Sequence, residues 1–95
     1  MCGAPKQGGI LVDIGNQTVI QGQVWHDGAP VAGAYVRLLD RTDEFTAEVV
    51  TSPEGEFRFF AAPGQWKVRS LAPVGRGETT LSADVGLNET TIAID

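Results

Sequence analysis

Polar and apolar residues alternate along most of this chain. "TVIQGQVW" (residues 18–25) places Ile20, Gly22 and Val24 on one face, and "AYVRLLD" (34–40) does the same for Ala34, Val36 and Leu38. "FTAEVVTS" (45–52) groups Ala47, Val49 and Thr51. "FRFFAA" (57–62) turns Phe57, Phe59 and Ala61 inward and Arg58 outward, and "WKVRSLA" (66–72) sets Trp66, Val68 and Ser70 against Lys67 and Arg69. "TTLSADV" and "TTIAID" supply the last two strands, joined by "GLNE". A period of two marks strands with one buried face, and no window sustains the 3.6-residue period of a helix.

Turn residues punctuate these runs. "HDGAPVAG" (26–33) is a two-step reversal, "RTDE" (41–44) a polar loop, and "PEGE" (53–56) the signal of a hairpin turn. "PGQ" (63–65) is tight, and its Pro63-Gly64 pair suits one positive φ, whereas "PVGRGE" (73–78) reads as a looser loop. Gly22, inside a strand, predicts the close approach of a bulky residue from the facing sheet. Phe57, Phe59 and Trp66 are the expected large core fillers. About seven short strands at this spacing predict a single all-β sandwich over residues 10–95. Residues 1–9, "MCGAPKQGG", are expected to form a flexible N-terminal tail. "ILVDI" (10–14) adds a short strand or docks on an edge.

Ninety-five residues make one domain, and 42% apolar residues suffice for one core. The net charge of −5 argues against nucleic acid and against an anionic membrane surface, both of which call for clustered Lys and Arg. No run of about 18 apolar residues is present to span a bilayer. Lys6 is followed by no apolar signal region, so a cytoplasmic protein is expected. One cysteine permits no internal disulfide, in keeping with a reducing compartment.

Two resemblances sharpen this picture. Gly22 and Val24, the run Pro30 to Leu38, Thr51 and Gly55, Phe57 and Phe59, and Pro63, Gly64 and Trp66 occur in the order of the carboxypeptidase regulatory-like, transthyretin-like sandwich. The chain resembles that fold over about half its length. The resemblance implies a seven-stranded, mostly antiparallel Greek-key β-sandwich. Over its whole length, through "MCGAPKQG", "VRLLDRTDEFTAEVV" and "FRFFAAPG", the chain resembles the SseC-type actinobacterial proteins, a family of unknown function encoded near rhodanese-type thiosulfate sulfurtransferases. That resemblance implies a role in sulfur metabolism and names no reaction. Cys2, Pro5, Lys6, Gln7 and Gly8 match the family's leading segment.

Cys2 is the chief chemical candidate. If Met1 is removed, a thiol and an α-amine lie on adjacent carbons. A cationic amine then favours the nucleophilic thiolate. Such a thiolate accepts sulfane sulfur as a persulfide. The alternative is an exposed thiol with no role. His26, beside Asp27, is a turn residue or half of a His–carboxylate pair, and the chain is too poor in His and Cys to complete a metal site around it. Asp40, Asp43 and Glu44, with Glu48 and Glu54 nearby, lack the spacing of a calcium loop and read as solvated. Arg41, Asp43 and Glu44 are the candidate interaction loop. Arg37, Arg41, Arg58, Lys67, Arg69 and Arg76 face outward and keep faces and edges soluble. Asn88-Glu89-Thr90 matches a glycosylation sequon that has no meaning without secretion.

No nucleophile–base–acid spacing, phosphate loop or dinucleotide fingerprint is present. The C-terminal Tyr-Arg-Gly-Ser of the transthyretin-like hydroxyisourate hydrolases is absent, as is the Gly-Gly of ubiquitin-like sulfur carriers. The reading therefore leans to a non-catalytic protein without a cofactor, with independent catalysis as a third alternative. The first expectation is an accessory protein that accepts sulfane sulfur on Cys2 from a sulfurtransferase partner. The second is a protein-interaction module, with self-association through an edge strand as one form of it.

Overall fold

In the computed structural model, residues 17–95 are described. They form eight strands: β1 (Thr18–His26), β2 (Ala29–Pro30), β3 (Tyr35–Asp40), β4 (Phe45–Val50), β5 (Glu56–Ala61), β6 (Gly64–Ala72), β7 (Gly75–Ala83) and β8 (Gly86–Ala93). Strands β4, β3, β6 and β7 make one sheet, antiparallel throughout. In the other sheet β1 is central. It pairs antiparallel with β5 and β2 along one edge and parallel with β8 along the other. The chain passes between sheets after β2, β4 and β7 and returns after β5.

Several expectations change. There are eight strands rather than seven, because Asp27 (φ 54°) and Gly28 (φ 82°) form a tight primed turn that folds Ala29–Pro30 back onto Trp25 and His26. The sandwich is mostly antiparallel, with one parallel pair, β1 with β8. The Gly86 amide donates to the Gln17 carbonyl at 2.7 Å, so β8 starts where β1 starts and runs alongside it. The loose loop at 73–78 is a two-residue turn, since Ala72 already pairs with Gly75. "GLNE" lies within β8 rather than joining strands. "PEGE" closes no hairpin, because β4 and β5 belong to different sheets. It turns the chain from one sheet to the other, with Gly55 at φ 77° donating to the Ser52 carbonyl.

The inward faces are those the alternation gives. Ile20, Val24, Ala34, Val36, Leu38, Phe57, Phe59 and Val68 are buried in one cluster with Ile92 and Ile94. Ala47, Val49, Ala61 and Trp66 pack around it, so Trp66 lies at the rim rather than filling the centre. Gly64 takes a positive φ of 145°. Gly22 does permit a close approach, but by its own sheet: a Cβ there would collide with the Thr90 carbonyl of β8 and stand 2.9 Å from the Phe57 ring of β5. Thr51 is buried as a pin, donating to the Val31 carbonyl (2.7 Å) and accepting from the Ala34 amide (2.9 Å).

The sheets are joined along one side by the last residues. Ile94 donates to the Trp25 carbonyl of β1, while Asp95 and Arg76 of β7 exchange backbone hydrogen bonds. Side chains at Gly75 and Gly77 would strike the backbone of Asp95 and Ala93, so both positions need to be bare for this crossing. Residues 1–9, Ile10–Ile14 and the thiol of Cys2 lie outside the described residues.

Candidate interaction face

The outer face of the β4-β3-β6-β7 sheet carries side chains in ordered rows. Pairing sets Val50, Tyr35, Leu71 and Arg76 side by side across the four strands. The next row is Glu48, Arg37, Arg69 and Glu78. The third is Phe45, Leu39, Lys67 and Thr80. The apolar members are open: Tyr35 is 55% exposed, Phe45 60%, Val50 55% and Leu71 41%. Only Leu39 is buried in its row. A solvent-facing antiparallel sheet normally presents polar side chains, so large apolar groups in register across it are a signal of association.

The charged row is internally paired. Arg37 bonds Glu48 (2.8 Å) and Arg69 bonds Glu78 (3.0 Å). Lys67 reaches Asp43 at 2.7 Å and Glu78 at 3.9 Å. The Arg37 guanidinium stands 5.8 Å from the centre of the Phe45 ring. Each exposed pair contributes little stability, but together they fix the orientation of long side chains. Arg76 has no ionic partner among the described residues and borders an open groove of about 530 Å³ floored by Leu71 and flanked by Arg69 and Glu78.

The loop Arg41–Glu44 sits at the end of this face and is built rather than loose. The Asp40 carboxylate accepts from the Thr42 hydroxyl (2.6 Å), the Thr42 amide (2.8 Å) and the Glu44 amide (3.0 Å). Asp43 adopts φ 67°, which closes a type I turn with a bulge and aims its carboxylate at Lys67. The structure thus ties Asp43 to the sheet face. Arg41 and Glu44 are exposed and make no ion pair among the described residues. Serine at 52 builds the same turn with its hydroxyl, accepting from the amides of Glu54 and Glu56.

The Thr42 hydroxyl, joined by the amides of Glu44 and Thr42, holds the Asp40 carboxyl below its ordinary range. A depressed carboxyl stabilises the folded turn above the unfolded value of about 3.9, and that contribution disappears as pH falls through the lower folded value. NMR titration of Asp40 is expected to give a midpoint below about 3.9, with the Thr42 and Glu44 amides shifting in step. A midpoint at or above that value would contradict the turn geometry.

No catalytic constellation forms among the described residues. His26 donates from Nδ1 to the Ile94 carbonyl at 2.9 Å and serves the sheet junction. Ser52 is occupied in its turn, and Ser70 is wholly buried with no partner for its hydroxyl. No group of three His, Cys, Asp or Glu is placed to hold a metal among the described residues. Asn88 is a working residue that the sequon reading missed. Its side chain bonds the Asp84 amide and the carbonyls of Asp84, Gly86 and Val19, which fixes the crossing into β8. An Asn two residues after a Gly at a sheet change was the available sign.

The pattern of one family covers residues 2–94, under the description "Protein of unknown function (DUF1416)". This chain belongs to the DUF1416 family. Two proteins of Mycobacterium tuberculosis strain H37Rv, "Uncharacterized protein Rv0814c" and "Uncharacterized protein Rv3118", are each 55% identical to it over 85 residues, covering 85% of this chain and 85% of theirs. An uncharacterized protein of Mycolicibacterium smegmatis is 57% identical over 72 residues, covering 75% of this chain and 80% of its own. Among solved structures, a DUF3823 family protein from Parabacteroides merdae matches with a TM-score of 0.67 at 13% identity over 82% of this chain, which spans 45% of that one. The dioxygenase domain of a dioxygenase–carbohydrate-binding protein fusion from Streptomyces sp. SirexAA-E matches with a TM-score of 0.61 at 15% identity, covering 85% of this chain and 80% of that one. At such identities these two likenesses speak for the fold alone. Among the described residues no helix is long and apolar enough to cross a membrane.

Proposed function

We propose that this DUF1416 protein is a non-catalytic protein-interaction module that docks a partner on the outer face of the β4-β3-β6-β7 sheet. The observation that carries this reading is the row Val50–Tyr35–Leu71, exposed and bordered by a row of charges already held in pairs. An exposed apolar patch edged by polar groups has the composition of a protein interface. The Greek-key, transthyretin-like type belongs to the same reading, supported by the order of Gly22, Thr51, Gly55 and the Pro63-Gly64 turn. Cross-linking of the purified chain to its partners in an extract of its own cells tests it. Cross-links are expected on this face, and the double variant Tyr35→Glu, Leu71→Glu is expected to lose them. Phe60→Glu, on the outer face of the other sheet, should keep them. Equal capture by all three proteins would overturn the reading.

A second reading is favoured by the reach of the family match, which begins at residue 2 and so takes in Cys2. In this reading the protein is an SseC-type accessory of sulfur metabolism, partnered by a rhodanese-type sulfurtransferase. The Cys2 thiolate attacks the outer sulfur of the enzyme's persulfide, the enzyme thiolate leaves, and Cys2 becomes the persulfide. Intact-mass measurement after incubation with thiosulfate and such an enzyme should show one added sulfur on the wild type and none on Cys2→Ser. Equal labelling of both, or of neither, would end the sulfur reading and leave the docking reading standing.

A further inference from the structure

Charge is divided unequally between this face and the rest of the chain. Arg37, Lys67, Arg69 and Arg76 stand on the face against Asp43, Glu48 and Glu78, a net of +1, while the whole chain carries −5. All other residues together therefore carry −6. The surplus cation is Arg76, which has no ionic partner among the described residues and lies beside Leu71, at the open groove.

A second copy of this chain is a poor occupant. The row Glu48–Arg37–Arg69–Glu78 reads the same in both directions. Stacking two such faces about either in-plane two-fold axis centred on the row sets like charge over like. Pairing through the free edge of β4 meets a register shift opposite Leu38 and Leu39, and centres on or near Glu48. Docking this face on the acidic remainder of another copy would be heterologous, giving a ring or an open filament rather than a two-fold pair, and sedimentation would reveal it.

Resting on the docking reading above, we infer that the occupant is a segment of another protein with aliphatic side chains along one face and a carboxylate at the end of that face. It lies across Val50, Tyr35 and Leu71 with one carboxylate on Arg76. Its apolar side chains cover the exposed row, and its carboxylate takes the Arg76 guanidinium, which has no ionic partner among the described residues, in the fork geometry such groups favour.

The test is an NMR titration of the full chain with three capped octapeptides: Asp-Leu, which carries Leu at alternate positions, ends that face in Asp and has Ser between; Lys-Leu, with Lys in place of that Asp; and Asp-Ser, with Ser in place of every Leu. The Asp-Leu peptide is expected to shift the amides of Tyr35, Val50, Leu71 and Arg76. It should bind more weakly as salt rises, and about tenfold more weakly to Arg76→Glu, a surface change that leaves the unfolding temperature in place. Equal binding of the Lys-Leu peptide on these residues would overturn the acidic preference while the docking face stood. Asp-Leu shifts elsewhere, or no shift with any peptide, would overturn the inference, and the cross-links would then decide the face separately. So would sedimentation showing concentration-dependent self-association through this face, or an oligonucleotide binding these residues.

Discussion

Gly22→Ala is expected to remove the cooperative folded state or to lower its stability by more than about 4 kcal/mol, the range reserved for strain without relief. The added methyl enters space held by the Thr90 carbonyl, with the Phe57 ring at 2.9 Å on the other side. Neither can yield cheaply. Thr90 is backbone in the parallel β1–β8 ladder, and Phe57 is nearly fully buried in the core. Moving β8 would break the pairing of Thr18 to Trp25 with Gly86 to Ala93, which is half the support of the central strand. Urea unfolding followed by tryptophan fluorescence and circular dichroism measures the effect. Gln21→Ala, on the outward side of the same strand, is the control and should stay within about 1 kcal/mol. A sharp transition for Gly22→Ala near the wild-type midpoint would mean that the two neighbours of β1 are not set as described.

The same glycine shows how far the sequence can be read. Gly22 stood out within an alternating run, and the inference of a crowded backbone holds. The source of the crowding was misplaced, because the alternation says which side chains share a face and is silent on which strand lies next to which. That silence accounts for the other departures. Nothing local distinguishes a hairpin at "PEGE" from a change of sheet, since the turn Ser52–Glu56 has the same internal hydrogen bonds in both cases. The parallel β1–β8 ladder joins residues about seventy apart, beyond any local pattern. The Asp27-Gly28 turn was visible, whereas the two residues it folds back are too few to carry a period. The interaction loop was legible as a cluster of charge. Its partner Lys67 was not, because Asp43 and Lys67 meet only once β3 lies between their strands. The apolar row is of the same kind: Tyr35, Val50 and Leu71 each look like isolated outward residues until register aligns them.

Register also explains why binding on a face suits this sandwich better than pairing on an edge. Strand β4 ends its sheet with a register shift and Glu48, which deter a new strand. On the opposite side the clasp of residues 93–95 against Gly75, Arg76 and Gly77 covers one end of the β7 edge. The exposed apolar surface of this sheet is a row of side chains, so selection of a partner on it falls to side-chain chemistry.

Ile94→Ala tests the clasp and should lower stability by about 2–5 kcal/mol, the range for emptying a buried aliphatic site. Ile94 is 1% exposed and belongs to the main core, its Cγ2 lying where a side chain at Gly77 would intrude. Its amide holds the Trp25 carbonyl at 2.8 Å and its carbonyl takes the His26 ring at 2.9 Å. The residue therefore joins the end of β1 to the floor between the sheets, and loosening it frees Asp95 from Arg76 as well. Two readouts separate this from a plain cavity. Hydrogen exchange should accelerate at Arg76 and Asp95 more than at Val36 or Leu38, and a newly opened margin should show as reversible association at high concentration. Ile92→Ala, equally buried but within the β8 ladder, is expected to lose similar stability without that selective exchange. Uniform acceleration in both variants would show that residues 93–95 only fill space, and the guarded margin would then need another cause.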